Sequence, residues 1–307
     1  MISKLLELTE RLAASYDREG GINHLDGKNL PSKQAIAEIT RDLLRLLFPG
    51  FFDERLIQSS EVKLETLGLL GSVLPRMETE IRKSLEYAPP SEADKADLAG
   101  MAHALTMKFL TNLPRVRELL RTDTEAAYNG DPAALSKEEV IVAYPFVEAI
   151  AVQRMAHLLY LDDVPLIPRI MTEWAHTRSG LDIHPGARIG SHFFVDHCTG
   201  TVIGETTEIG NYVKMYHGVG LVAKSLEAGQ ALRGRKRHPT LEDRVTIYAG
   251  ATIIGGDTVI GAGSTIGASV FLTRSVPPNS LVVQEDANVR VITKRVPQDS
   301  SVLDFQI

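Results

Sequence analysis

The chain has 307 residues, of which 44% are hydrophobic, and a formal net charge of −6 at pH 7. This length allows two domains with a sizeable core, and the negative charge argues against a nucleic-acid-binding protein. The sequence contains no run of about 18 apolar residues, so we expect no membrane-spanning helix.

Two features predict a reducing, cytoplasmic location. The N-terminus, MISKLLELTERLAASY, is charged and amphipathic, unlike a signal peptide. Cys198 is the single cysteine of the chain, which excludes an internal disulfide framework.

Helical spacing of apolar residues extends from the start of the chain to about residue 180. Leucines at residues 5–12 predict a first helix, and a second is expected to end at Pro49. Further helices are predicted at about 62–87, 144–161 and 166–177. We therefore expect an all-helical domain over residues 1–180 of an α+β chain.

After residue 180 the period changes from 3.6 to six. A six-residue period is typical of a parallel β-helix, in which each face turns a corner and stacks on the coil below. We predict a β-helix over residues 181–275, with the apolar residue of each repeat inside the coil, followed by a C-terminal tail over 276–307. The repeated positions are Ile183, Ile189, Val195, Ile203, Ile209, Met215, Leu221, Ile254, Ile260 and Ile266.

The repeat is lost between Val222 and Thr240, which predicts an excursion loop. Loops on a rigid scaffold often carry function. A basic cluster in this loop could bind a carboxylate or phosphate, or could simply be a solvated charged segment. The cluster comprises Arg233, Arg235, Lys236 and Arg237, followed by His238. The flat outer faces of such a coil also favour a symmetric trimer.

Asp182 and His197 are candidates for acid–base chemistry. They are 15 residues apart, and a coil of about 18 residues could bring them close together. A carboxylate can fix the tautomer of an imidazole, which is a suitable general base near neutral pH. The alternative is a histidine that a nearby carboxylate satisfies at a turn. Cys198 could be a nucleophile, but neighbouring strand residues face opposite sides, which favours a packing role.

The histidines also raise the possibility of a metal site. His192 and His197 could be two zinc ligands, with a third from His184, His217 or His238. Two nearby histidines in a chain with nine are weak evidence, and we expect no metal.

Five segments in this order resemble the serine O-acetyltransferases, hexapeptide-repeat acyltransferases, in particular the type with a long N-terminus. They are YNGDPAA (128–134), YPFVEAIAVQRMAHLLY (144–160), DIHPGARIG, VDHCTGTVIGET and KRHPT. The resemblance covers residues 120 to 275. It implies a left-handed β-helix, a homotrimer or a dimer of trimers, and a helical domain that supplies oligomer contacts and part of the serine site.

The resemblance also implies a reaction: transfer of an acetyl group from acetyl-CoA to the hydroxyl of L-serine, the first step of cysteine biosynthesis from serine. His197 would be the general base and Asp182 would orient it. The serine-binding residues would be Asp131 and Asp196 for the ammonium, Arg237 and His238 for the carboxylate, and Glu205 in the same region. The backbone of Ala249 and Ala268 would lie along the CoA arm.

Two regulatory expectations come from the same resemblance. L-Cysteine would compete with serine as a feedback inhibitor. The carboxylate of the terminal residue, Ile307, would enter the active site of O-acetylserine sulfhydrylase (cysteine synthase), with Asp304 nearby.

The chain departs from the family pattern at three positions. Gly220 and Val222 fall where members usually have a Thr-Leu-Gly stretch, and Cys198 replaces a usual Gly or Ala. Three alternatives therefore stay open. They are a β-helix acetyltransferase for another acceptor such as homoserine or an amino sugar, a zinc-dependent hydratase, and a non-catalytic regulatory partner of cysteine synthase.

Overall fold

A computed structural model describes residues 1–89, 97–224 and 229–285. In these ranges a helical first half precedes a second half of short parallel strands. The helices are α1 (Ile2–Arg18), α2 (Lys33–Leu47), α3 (Val62–Tyr87), α4 (Leu98–Thr111), α5 (Leu113–Gly130), α6 (Lys137–Ala143), α7 (Pro145–Leu161) and α8 (Ile167–Ser179).

The helical periodicity of the sequence is confirmed, and α7 forms the centre of the helical half. This helix is apolar on nearly all sides, as expected of a buried helix, and it contacts α5, α8 and the first strand. The first helix differs, because α1 buries none of its residues and leaves its leucine face exposed.

The second half is a parallel β-helix with three faces, each a parallel sheet. Successive strands occupy the first, second and third face in turn, which explains the six-residue period; only the last described strand departs from this order, because it follows a first-face strand directly onto the third face. The first face contains β1 (Leu181–Ile183), β4 (Thr201–Ile203), β7 (Gly220–Val222), β10 (Thr252–Ile254) and β13 (Phe271–Leu272). The second contains β2 (Arg188–Ile189), β5 (Glu208–Ile209), β8 (Thr240–Leu241) and β11 (Val259–Ile260). The third contains β3 (Phe194–Val195), β6 (Lys214–Met215), β9 (Thr246–Ile247), β12 (Thr265–Ile266) and β14 (Leu281–Val282).

The repeat places most predicted residues inside the coil, but Ile254 is wrong by one position. Ile253 pairs with Leu221 and is fully buried, whereas Ile254 is half-buried and pairs with Val222. The next interior residue is Ile260, so the following corner holds one extra residue. Strand pairing also continues beyond residue 275, because β14 pairs with β12.

A second irregularity falls at His197. Interior residues Val195 and Ile203 are eight positions apart, two more than the usual six. The extra residues form a corner in which His197 and Cys198 have φ angles of 61° and 55°. Consecutive non-glycine residues in the left-handed region are uncommon, and Cys198 is buried beneath the corner. The sequence repeat is therefore interrupted at the candidate base.

A buried ion pair joins the helical half to the β-helix. Arg154 of α7 binds the Asp123 carboxylate of α5 through Nε at 2.7 Å and Nη2 at 2.8 Å. Arg154 also donates to the carbonyls of Ile189 and Gly190, while Asp123 accepts from the Phe193 amide. The two side chains thus fix the helices to the first coil. In the described ranges, no helix combines the length and apolarity needed to cross a membrane.

Candidate active site

His197 projects from the corner between the third and first faces, which we call the third–first corner. Its side chain is 69% exposed, and its Nδ1 lies 3.7 Å from Oδ1 of Asp196. Asp196 immediately follows β3, and its side chain is only 13% exposed. The corner thus presents an accessible imidazole beside a sheltered carboxylate.

Asp131, at the C-terminal end of α5, provides a second carboxylate in this region. Its Oδ2 accepts a hydrogen bond from the Tyr144 hydroxyl at 2.5 Å, and its Oδ1 accepts from the Ala133 amide at 2.8 Å. The Tyr144 bond is the main cause of a lowered pKa at Asp131, and the Ala133 amide and the positive charge of Lys214 add to it. The same bond raises the pKa of Tyr144 to about 12. Asp131 is therefore held ionised on the side of His197.

A different set of predicted residues meets at the corner between the first and second faces, the first–second corner. Glu205 accepts hydrogen bonds from the Tyr160 hydroxyl, at 2.7 Å, and from Arg237. Burial raises the pKa of Glu205, but these two donors outweigh it and leave the pKa below its ordinary value. Arg237 Nη1 is buried and finds no hydrogen-bond partner among the described residues. One arm of this guanidinium thus lacks an acceptor among them, although solvent does not reach it in a single copy of the chain.

His238 of the same corner is a neutral donor. The Thr206 amide donates to His238 Nδ1 at 3.1 Å, so the ring proton must be on Nε2. Burial lowers the pKa of His238 to about 4, which keeps the ring neutral at physiological pH. The ring packs so closely on Gly204 that a Cβ there would overlap it. His238 can therefore donate a hydrogen bond without adding charge.

Asp182 and His197 are not brought together as the resemblance implies. Asp182 lies on β1 in the first face, with its carboxylate within 4.8 Å of the ligand atoms of Glu173 and His176. It makes no hydrogen bond or ion pair with His197 in the described part of the chain. The carboxylate within ion-pairing distance of His197 is instead that of Asp196.

The histidines proposed as alternative zinc ligands fall at three different corners, although the rings of His197 and His217 are neighbours with centroids 5.7 Å apart. His192 stacks on Tyr212 with ring centroids 4.1 Å apart, while His184 and His238 lie at the first–second corner. Among residues 1–89, 97–224 and 229–285, the one cluster of three possible ligands is Glu173, His176 and Asp182.

The positions predicted to follow the CoA arm share the third–first corner with His197. Ala249 and Ala268 lie between strands of the third and first faces in the later coils. The corner backbone is continuous, because Gly250 donates to the His217 carbonyl and Ser269 to the Ala249 carbonyl. A continuous backbone ridge thus extends along this corner from the candidate base, bordered by the stacked rings of Tyr216 and Tyr248.

The other predicted residues include one buried cysteine and two residues of a first-face strand. Burial raises the pKa of Cys198 to about 12, and its Sγ contacts the Val195 carbonyl, which favours the packing role over a nucleophile. Gly220 and Val222 form the ends of β7 in the first face. Asp304 and Ile307 lie outside the described residues.

Two tyrosines of the site were not identified from the sequence. Tyr144 and Tyr160 stand at the two ends of the segment 144–160, which was recognised only as a helix typical of the family. Each donates its hydroxyl to a candidate substrate-binding carboxylate, Asp131 or Glu205. The spacing of 16 residues, with one tyrosine at the N-cap of a buried helix and the other in its last turn, was the available signal.

Comparisons with known proteins agree with this architecture. A serine acetyltransferase encoded on a plasmid of Synechococcus elongatus is 44% identical over 267 residues, which cover 83% of this chain and 82% of the relative. The Mycobacterium tuberculosis serine acetyltransferase is 42% identical over 61% of this chain and 78% of its own length. A scan against protein-family models finds no match.

Solved structures give the same result. Entamoeba histolytica serine acetyltransferase 1, in complex with L-cysteine, matches with a TM-score of 0.69 and 34% identity over 81% of this chain and 86% of its own. The Neisseria gonorrhoeae serine acetyltransferase, in complex with serine, matches with a TM-score of 0.53 and 27% identity over 87% of this chain and 100% of its own.

Proposed function

The chain belongs to the serine acetyltransferase family, and from this premise we propose how its residues transfer acetyl from acetyl-CoA to L-serine. The relatives do not favour the alternative acceptors, the zinc-dependent hydratase or the non-catalytic partner. The observation that carries the assignment of roles is the exposed His197 imidazole flanked by the Asp131 and Asp196 carboxylates.

In this proposal the two carboxylates hold the serine ammonium and place its hydroxyl against His197. The imidazole takes the hydroxyl proton while the serine oxygen bonds to the thioester carbonyl carbon. The carbon–sulfur bond then breaks, and the imidazolium proton passes to the CoA sulfur. O-Acetyl-L-serine and CoA leave, and His197 is again neutral.

Arg237 would bind the serine carboxylate through its unpartnered Nη1. His238 would bind the same carboxylate through its Nε2–H. Glu205 orients Arg237 and lies in the same region. Arg237 and His238 lie at the first–second corner, however, whereas His197 lies at the third–first corner. A three-residue strand at ~3.3 Å per residue separates these corners by roughly 10 Å, too far for one serine to bridge.

We therefore propose that the site is completed between copies of the chain. In a symmetric trimer, each third–first corner would face the first–second corner of the next copy, which closes the ring. One copy would bind the ammonium and supply the base, and its neighbour would bind the carboxylate. Asp182 lies on the first face, between the two corners. It would orient the His197 ring once the His197 side chain had rotated towards it.

Acetyl-CoA would run along the third–first corner over Ala249 and Ala268, whose small side chains leave the backbone accessible. L-Cysteine has the ammonium and carboxylate of serine, so it would compete for the same groups. The cysteine complex of the Entamoeba histolytica relative supports this. Binding of O-acetylserine sulfhydrylase through Ile307 rests on the resemblance alone.

The test is release of CoA thiol from acetyl-CoA with L-serine, homoserine or glucosamine. We expect serine-dependent release that His197→Ala lowers at least ~100-fold, in line with the contribution of a general base. His103→Ala is the matched control, because this exposed α4 histidine pairs with Glu78 of α3 and is not one of the proposed site residues. Equal activity of His197→Ala and His103→Ala would overturn the assignment of the base.

A further inference from the structure

A second histidine, His217, lies on the third–first corner one coil beyond His197. The two ring centroids are 5.7 Å apart in an edge-to-face arrangement with an interplanar angle of 61°. His217 is exposed, and in the described ranges its ring makes no hydrogen bond or ion pair. Its imidazole is thus accessible beside the base and is not used to hold the fold together.

The surroundings of His197 define the side from which each substrate arrives. Asp131 and Tyr144 belong to the helical half and lie beside Asp196, at the level of the first coil. On the other side the corner continues through His217 to Ala249. If the acceptor is held by the carboxylates, the thioester must approach from the side of His217, about 4.8 Å further along the coil axis.

We propose that His217 donates an N–H hydrogen bond to the thioester sulfur as the carbon–sulfur bond breaks. This inference rests on the proposed function, because it requires His197 as the base and the acceptor at Asp131 and Asp196. The serine oxygen–carbon bond forms, the carbon–sulfur bond breaks, and the proton moves from the hydroxyl through His197 to sulfur. His217 keeps its own proton throughout and stabilises the negative charge that develops on sulfur.

Kinetics distinguish this role from that of a solvated surface histidine. A histidine on an exposed corner is hydrated whether or not it acts in catalysis, and removing one that does not act would change binding and turnover little. A donor that acts mainly when charge develops on sulfur would instead lower kcat and leave ground-state binding nearly unchanged.

Two substitutions distinguish a hydrogen-bond donor at His217 from a side chain that takes no part in catalysis. His217→Leu removes the N–H donor but keeps a side chain of moderate size, whereas His217→Gln keeps an N–H donor. We expect His217→Leu to lower kcat by about 10-fold to 100-fold, somewhat less than a fully enclosed donor gives. The KM for serine and the dissociation constant of CoA, measured by calorimetry, should stay within about twofold. His217→Gln should recover most of the lost kcat.

Any of three results would overturn the proposal. The first is a kcat for His217→Leu within about twofold of the parent. The second is an equal loss in His217→Leu and His217→Gln, and the third is a loss that appears in CoA binding and not in kcat. Failure of the proposed function is distinguishable, because it would show as full activity in His197→Ala, a variant in which His217 is intact.

Discussion

Replacement of Asp123 by alanine should destabilise the protein more than any surface change, although Asp123 lies outside the active site. The side chains of Asp123 and Arg154 are 1% and 4% exposed. Alanine would leave a guanidinium buried without its counter-ion and would remove the acceptor of the Phe193 amide. Burying an unpaired charge is among the costliest single changes in a protein.

The magnitude follows from the bonds that remain. Breaking a buried ion pair by removing one partner costs about 3–5 kcal/mol. Arg154 would keep its bonds to the carbonyls of Ile189 and Gly190, at 3.1 and 2.7 Å. Because the guanidinium stays partly satisfied, we expect the lower end, about 3 kcal/mol of lost unfolding free energy.

Urea unfolding followed by far-UV circular dichroism, at one fixed protein concentration, would measure this loss. Glu125→Ala is the matched control, because Glu125 pairs with Arg121 on the exposed surface of the same helix. Exposed pairs contribute about 0–1 kcal/mol. A loss for Asp123→Ala no greater than that for Glu125→Ala would refute the reasoning.

Four further predictions concern the proposed site and the proposed binding of O-acetylserine sulfhydrylase. Tyr144→Phe removes the hydrogen bond that fixes Asp131. The KM for serine should therefore rise about tenfold, equivalent to ~1.4 kcal/mol. An unchanged KM in steady-state kinetics would exclude a role of Tyr144 in serine binding. The pKa of His238 falls from 6.5 to about 4 on folding, so its contribution to stability is complete above pH 6.5 and is lost as the pH falls towards 4. The urea midpoint should therefore decline less over that interval in His238→Gln than in the parent, and parallel declines would contradict the assignment. Gly204→Ala should displace the His238 ring. We expect it to lower the unfolding free energy by about 1–3 kcal/mol and also to lower kcat/KM for serine. Parent-like values for both quantities would show that the contact is not required. Deletion of Ile307 should leave acetyl transfer unchanged but abolish co-elution with O-acetylserine sulfhydrylase, and retained co-elution would exclude the C-terminal mode of binding.

The elements that repeat were the ones that could be predicted from the sequence. The six-residue period indicated the β-helix, and helical spacing indicated α3 over 62–87, which is confirmed as Val62–Tyr87. The irregular positions could not be predicted in the same way. Ile254 was assigned to the interior because it precedes a glycine, whereas the extra residue at the next corner places Ile253 there.

In the site, too, the sequence indicated individual residues but not their arrangement in space. Motifs indicated His197, Asp131 and Arg237 individually, but their spacing along the chain does not tell which corner each one occupies. The separation of Arg237 from His197 depends on the face to which each neighbouring strand belongs. The role of Tyr144 depends on a contact between two segments of the helical half, which no periodicity reports.

The two extra residues at the His197 corner have a consequence for how such a scaffold can change. Because the imidazole lies on an interruption of the repeat, the interior packing of each coil does not depend on it. Whole coils could be added or removed at the far end, in the manner of repeat proteins, and the length of the corner proposed to hold acetyl-CoA would change while His197 stayed in place. A two-residue insertion transplanted to the equivalent corner of another coil would present a side chain outward in the same way, which makes this corner a module for protein engineering.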